Sequence, residues 1–462
     1  MDTPAVPMPK DEQERQILDR LTVIRDKLLL LKRDRTKYIR SQDVMVLYDQ
    51  LVDQVKQLNE IRKGEHKGEN RLDRVLESCL QLISLFFMTI GRTNDVPAAY
   101  ALTSTIKRLL DHLTEARLFS PKDLDSISNT LGKLDGILKN ADSAHSPYLV
   151  ELLAHREALC KSMLANLRKQ LDQLDEPLQA TYERLISIMR SMSLANTKSK
   201  FSVNEVQKFI AKLKEIEGSM VDGKFVDAEG KELRGSDVVS ELLKRCLMWS
   251  NIVIERKGEI PEAFQDKYNI LINIRNELEK LSITQAWSLR ETDLYDFQRE
   301  LDKIDESRVD GNWLDQDGKP AELYVQRTLL YLIRRSYGYI YYLMNSSEPV
   351  SEALLPIYNQ LQTLKRCLIE VKNSGGVSSV RELYPYSMKL NSIDNMRVDG
   401  KFMVGDDIPE GQGSVTELLA ECFDLNYELR VAAEESEGSG KESGKDSGKQ
   451  SGTESPAPQG TA

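Results

Sequence analysis

The chain has 462 residues, 40% apolar and 29% charged, enough to bury a core as two to four ordinary domains or as one long repeat array. Its net charge of −10 and pI of about 5.3 oppose binding to a phosphate backbone unless a basic face is gathered locally, and only short pairs such as Arg334-Arg335 occur. The five cysteines form no Cys-x-x-Cys pair and the four histidines are scattered, so neither a metal site nor a cofactor is expected.

Residues 1–12 have no basic start followed by an apolar stretch, so they do not read as a secretory signal and are expected to be disordered. The next segment, RLTVIRDKLLLLKRDR, is amphipathic with basic ends. It reads as a core helix with a solvated charged face, the alternative being a helix that touches a membrane or a partner. The longest apolar run, LQLISLFFMTI at 80–90, is too short to span a bilayer and reads as a buried helix. The protein is therefore expected to be soluble and intracellular.

Further along, a motif recurs. LKEIEGSMVDG begins at Leu213, LDKIDESRVDG at Leu301 and LNSIDNMRVDG at Leu390, with identical internal spacing and a period of about 88 residues. A second anchor, Tyr followed six residues later by Ile or Leu, recurs at Tyr100, Tyr182, Tyr268 and Tyr358. Together they divide the chain into five expected units, 13–93, 94–174, 175–258, 259–347 and 348–432. The first two units carry RKGEHKGEN and KNADSAHSP where the later three carry the Val-Asp-Gly loop.

Each unit reads as three helices, giving an all-α fold, an array of three-helix repeats. The first helix carries an apolar row such as Tyr268, Leu271, Ile274 and Leu278. The third carries one such as Val238, Val239, Leu242, Leu243, Cys246 and Leu247. Pro320 suits a first helical turn, and Ser414 with Glu417 forms a capping-box pattern that marks a helix start. Cys79, Cys160, Cys246 and Cys422 fall at corresponding places on the third helices and read as small buried apolar residues. Residues 433–462, with Ser-Gly-Lys every four residues, lack the apolar content to repay ordering and are expected to be a disordered tail whose serines are phosphorylation candidates.

The candidate site residues lie in the repeated loops: Asp222, Gly223 and Phe225; Asp310, Gly311 and Trp313; Asp399, Gly400 and Phe402. Asp-Gly suits a tight turn. The functional reading is a repeated grip for a ligand or peptide. The structural reading, which is favoured, is a turn whose aromatic plugs the end of a three-helix unit. Asp315-Gln-Asp-Gly318 resembles a calcium loop, but the first ligand position is Trp313 and the last Tyr324, so it fails. RRSYGYIYYLM at 334–344 has the basic and aromatic character that stacks on bases. A helix packed between neighbours is favoured, with Gly338 allowing close helix approach. No P-loop, nucleophile elbow, HExxH or dinucleotide fingerprint occurs, so an enzyme is not expected.

The VDGKF-type loops, the opening ILDRLTVIRDKLLLLKRDRTKYI and the length resemble the fungal family of uncharacterised helical proteins of the Cub/Cuc type, a domain of unknown function, over residues 13–432. The resemblance implies a cytoplasmic and nuclear protein without established catalytic activity, with a suggested connection to proteasome function and stress tolerance. The leading expectation is a non-enzymatic scaffold that binds protein partners, with no nucleic acid and no membrane; oligomeric state is open. The alternatives are an enzyme or small-ligand protein with a pocket between helices, and a membrane-surface protein.

Overall fold

The computed structural model describes residues 6–63, 69–141 and 146–442. The protein is all-α: fifteen helices, with a single pair of two-residue strands at 397–398 and 401–402 among the described residues. The helices run α1 Glu12–Arg33, α2 Ser41–Arg62, α3 Arg71–Thr89, α4 Ala99–Ala116, α5 Pro121–Lys139, α6 Pro147–Leu171, α7 Glu176–Asn196 and α8 Val203–Gly218. They continue with α9 Ser236–Arg256, α10 Glu262–Ser288, α11 Leu294–Glu306, α12 Leu323–Asn345, α13 Leu355–Asn373, α14 Tyr384–Asp394 and α15 Gln412–Glu442. In each successive triplet the first and third helices pack side by side: α1 on α3, α4 on α6, α7 on α9, α10 on α12 and α13 on α15.

The described residues fall into two compact units divided after Glu352. In the first, one continuous apolar core runs from Ile17 to Met344. The triplets do not simply follow one another in a row. Helix α12 packs on α4 as well as on α10, α11 and α7, and α3 packs on both α4 and α11. The fourth triplet thus returns to the first three. Helix α12 has the sequence for this role: Val325, Leu329, Leu332, Ile333, Tyr337, Ile340 and Leu343 are all buried, more than one stripe wide. The second unit has its own core, built on Leu361, Leu368, Leu390, Ile393, Phe402 and Cys422.

Polar contacts close the first unit. The buried Arg290 donates to Glu352 Oε1 (2.7 Å) and to the carbonyls of Asp34 (2.8 Å) and Lys37 (3.4 Å). The N–H of Glu352 donates to Thr89 O at 2.9 Å. Glu291, buried, accepts from Thr89 and Ser347, and burial raises its carboxyl above the ordinary range. Lys32 and Arg35 at the end of α1 pair with Asp296 and Asp293.

Several expectations are corrected. Val238 is exposed and Leu247 only half-buried; the buried row on α9 is Val239, Leu242, Leu243, Cys246, Trp249 and Val253, the spacing that 3.6 residues per turn requires. Helix α12 starts at Leu323, and Pro320 sits before it in a bridge with Leu314. Helix α15 starts at Gln412, two residues ahead of Ser414, and Gln412 instead exchanges hydrogen bonds with the Phe402 backbone. It also continues to Glu442, so 433–442, expected as tail, is helical; 443–462 lies outside the described residues. The N-terminal segment is tied down from Pro7, whose carbonyl accepts from the Arg71 N–H at 2.9 Å. Residues 64–68 of RKGEHKGEN and 142–145 of KNADSAHSP also lie outside the described residues.

The four third-helix cysteines are buried, and three direct their thiol at a carbonyl of the partner first helix: Cys79 at Leu21, Cys246 at Leu185 and Cys422 at Leu361. Burial pushes the thiols up to about 12 for Cys79 and Cys246 and about 11 for Cys160 and Cys422. Cys367 is exposed. A thiol-disulfide dye at neutral pH is expected to titrate one cysteine in the native protein, lost in Cys367→Ser, and all five after denaturation. Fast native labelling in Cys367→Ser would contradict the burial.

The end of α3 shows how tightly closure is specified. The Gly91 N–H donates to Met88 O and the Arg92 N–H to Phe87 O, a Schellman ending with Gly91 at φ +84°. A Cβ on Gly91 would lie 2.5 Å from the backbone nitrogen of Ser351. Gly91→Ala is therefore expected to lower the unfolding free energy by about 2 kcal/mol or more in urea titrations, whereas an unchanged midpoint would mean that this closure contributes nothing.

An arginine-lined cavity as the candidate functional site

The repeated loops take up the same local structure. Asp222, Asp310 and Asp399 have φ of 51°, 48° and 48°, and the glycines after them 77°, 80° and 77°. Two successive positive φ values make a type I′ hairpin tip, closed by bridges between Val221 and Lys224, between Val309 and Asn312, and by the strand pair at 397–402. The aromatics turn inward: Phe225 is 6%, Trp313 0% and Phe402 1% exposed. Trp313 Nε1 donates to Ile304 O at 3.0 Å, fastening the loop to α11. Each Asp-Gly pair is exposed, on a loop whose own aromatic is spent in the core and bonded to a neighbouring helix, Phe225 N–H to Ser236 Oγ and Phe402 N–H to Gln412 Oε1.

A different place gathers polar groups. Between α4, α5, α7, α9 and α12 lies an open cavity of about 600 Å³. Leu109, Leu113, Ile127, Met189 and Leu330 supply apolar wall, and Trp249 and Tyr331 aromatic wall. Six cationic side chains line it, Lys122, Arg190, Arg245, Arg327, Arg334 and Arg335, against two carboxylates, Glu115 and Asp123. Both carboxylates are already engaged. Arg190 holds Asp123 at 2.6 Å and Arg308 holds Glu115 at 2.8 Å.

Of the six cations only Arg190 has a carboxylate among the described residues; Lys122 and Arg335 are exposed, Arg335 lying on Tyr339, and three arginines remain half-buried. Arg245 donates to the carbonyl of Ala116 at 2.9 Å, which satisfies a proton without neutralising the charge. Arg327 lies over the Trp249 ring at 5.7 Å, and its buried Nη1 has no partner. Arg334 makes no hydrogen bond or ion pair with any described residue, and its Nε is buried and unpartnered. Burial, then the charge of Arg245, pulls Arg327 below the ordinary guanidinium range. Burial pulls Arg334 down to about 10; the charges of Glu115 and Asp305 oppose this without bonding it, and those of Arg308 and Arg245 add to it. The cost is that of like charges held in a partly dry site without a counter-ion.

A fixed frame holds the arginines. Trp249 stacks on Tyr324, whose hydroxyl donates to Asn196 Oδ1 at 2.9 Å; Asn196 in turn donates to Thr328 at 3.1 Å. On the α4 side His112 Nε2 lies 3.2 Å from Asp305 Oδ2 and its Nδ1 has no partner. Tyr337, edge-on to His112, donates to Asp302 at 2.6 Å, and Arg108 pairs with Asp302 at 3.2 Å.

Gly338 faces open space: a Cβ there would meet nothing within 4 Å. It lines the cavity and does not serve a close helix approach, which corrects the sequence reading. The stretch 334–344 is helix packed among neighbours, with Tyr337 buried, and its two arginines part company. Arg334 lies half-buried in the cavity beside Arg327, two turns away on the same face, while Arg335, which also lines it, is exposed and lies on Tyr339 at 4.4 Å. Sequence reasoning did not single out Arg245 or Arg327. The signal available was their setting: arginines inside otherwise apolar third helices, Arg327 and Arg334 seven residues apart.

Among the described residues no group of His, Cys, Asp or Glu is placed to hold a metal ion, and no helix is long and apolar enough to cross a membrane. What these features define is an all-α protein with an open, cation-lined cavity between its helices. The chain belongs to the fungal family described as Protein of unknown function (DUF2408), which matches residues 171–291 and 348–448, the stretches holding the first and third Val-Asp-Gly loops. It is similar to a CUB1 family protein of Schizosaccharomyces pombe, 39% identical over 438 residues, covering 92% of this chain and 94% of the relative. It is also similar to the Cu(2+) suppressing and bleomycin sensitive protein 1 of Saccharomyces cerevisiae, 36% identical over 509 residues, covering 93% and 91%. No solved structure matches.

Asp305 tests the frame. Burial raises its carboxyl, but the His112 hydrogen bond and the charges of Arg308 and Arg108 more than offset this and hold it below the ordinary range. A depressed carboxyl stabilises the fold above its unfolded pKa, and that contribution is lost as pH falls through the folded value. Asp305→Asn is expected to cost about 3 kcal/mol at neutral pH, with the gap to wild type closing below about pH 4. Urea unfolding across pH measures this; a gap that widens on acidification would contradict it.

Proposed function

We propose that the chain is a non-enzymatic binding protein of five three-helix units whose ligand seat is the cavity on α12, not the edge formed by the repeated loops. The observation that carries this reading is the convergence of buried polar groups on an open interior space where a packed core would otherwise stand. The loops are the weaker candidate because their aromatics are buried. A non-catalytic role is supported by how the lining hydroxyls are used: Ser193 donates to Met189 O, and Ser126 and Tyr341 share a hydrogen bond.

Protein partners form the second reading, and it attaches to the second unit. Tyr384 and Tyr427 there are 64% and 66% exposed, and Met388 is also exposed. A cytoplasmic or nuclear protein serving proteasome or stress pathways, as the family resemblance implies, would meet its partner on this surface.

The cavity reading is tested with Gly338→Leu. The change replaces a helical glycine and extends a side chain into open space, so the protein is expected to fold with undiminished stability. Native mass spectrometry of the full chain is expected to show small molecules retained by wild type and absent from Gly338→Leu. Identical spectra for the two proteins would remove the cavity as the seat.

A further inference from the structure

The ligand class follows from what the cavity leaves unpaired, an inference that rests on the cavity being the ligand seat. The lining carboxylates are both consumed, by Arg190 and Arg308, so Arg245, Arg327 and Arg334 face the same space without a counter-charge. They come from two helices, α9 and α12; Trp249 holds the guanidinium of Arg327 and the Ala116 carbonyl that of Arg245, while that of Arg334 is left without a partner among the described residues. Guanidinium forks match tetrahedral oxyanions in a way that a point charge does not. A lone chloride would leave most of these donors unused, and a carboxylate has two oxygens for three arginines. Leu109, Leu113, Ile127, Met189 and Leu330 supply apolar wall that suits the organic part of the molecule, and the hydroxyls of Ser126 and Ser193 beside them are bonded within the protein. The volume accommodates a compound of metabolite size.

We propose that the cavity binds a small organic phosphate carrying at least two negative charges, its phosphate oxygens held by Arg245, Arg327 and Arg334 and its carbon skeleton against the α4–α5–α7 wall. Neutralising three arginines stabilises the first unit, so ligand and fold are coupled. The same argument makes the empty protein less stable than it would be with those charges removed.

The test uses the full chain at constant ionic strength, with pyrophosphate as first probe and sodium chloride as control, read by thermal unfolding and calorimetric titration. Pyrophosphate is expected to raise the melting temperature and chloride not. Arg334→Gln should weaken binding about tenfold, and Arg327→Gln/Arg334→Gln should abolish it while raising the melting temperature of the empty protein. Gly338→Leu, which keeps every arginine, should also lose pyrophosphate, guarding against a misfolded double variant. AMP and inositol trisphosphate then separate nucleotide from sugar phosphate sources, and tighter binding of either than of pyrophosphate supports the proposal. An equal pyrophosphate response in wild type and double variant, or none in wild type, overturns it. The neutral fluorophore N-phenyl-1-naphthylamine distinguishes the two failures. If it binds wild type and not Gly338→Leu, the cavity remains a ligand seat and only the phosphate is wrong; if it does not discriminate, the cavity reading fails as well.

Discussion

Helix α12 has to bury two faces at once, and the first unit is arranged around that requirement. One face meets its own triplet partners α10 and α11, and another meets α4 and α7 from earlier triplets. Burying Leu329, Leu332, Ile333, Tyr337 and Ile340 contributes on the order of 2 kcal/mol per side chain. No position between triplets offers this except one in which the chain returns on itself. A helix with a single stripe would have permitted an extended stack.

The return brings chain segments more than 200 residues apart into register, and polar contacts select that register. Arg74 pairs with Glu306, Ser78 with Tyr295 and Arg290 with the Asp34 carbonyl, while Gly91 lets the 350–352 segment pass against the end of α3. Closing three triplets on one helix cannot make every side fit. Between α4, α5, α7 and α9 the remaining side of α12 carries Arg327, Arg334 and Gly338, two long cations and a residue with no side chain, and there the core opens into the cavity. The cavity is thus a consequence of the closure, and the unpaired arginines are what gives it chemistry.

Much of the local structure was legible in the amino-acid pattern. Apolar spacing located the three helices between successive anchors, and the Val-Asp-Gly recurrence marked the tight turns before α9, α12 and α15. Asp-Gly at positive φ and the inward Phe225, Trp313 and Phe402 follow from elementary turn chemistry. The closure was not legible, because the residues that form it belong to different triplets and match nothing nearby: Lys32 with Asp296, or His112 with Asp305. The cavity was hidden for the same reason. Arg334-Arg335 reads as a minor basic pair in a linear sequence, yet a helix turns adjacent residues about 100° apart. One of them joins Arg245 and Arg327, the other covers Tyr339. The start of α15 at Gln412 is displaced from the Ser414 pattern, because Gln412 exchanges hydrogen bonds with the Phe402 backbone of its own loop.

The central claim, that closure around α12 leaves an arginine cluster needing an anion, is tested most directly by anomalous diffraction from crystals of the full chain grown with tungstate. The account predicts an anomalous peak within hydrogen-bonding reach of Arg245, Arg327 and Arg334, and an Arg334 side chain ordered against it. Tungstate peaks elsewhere with water alone between these three arginines, or α12 found apart from α4, would contradict it.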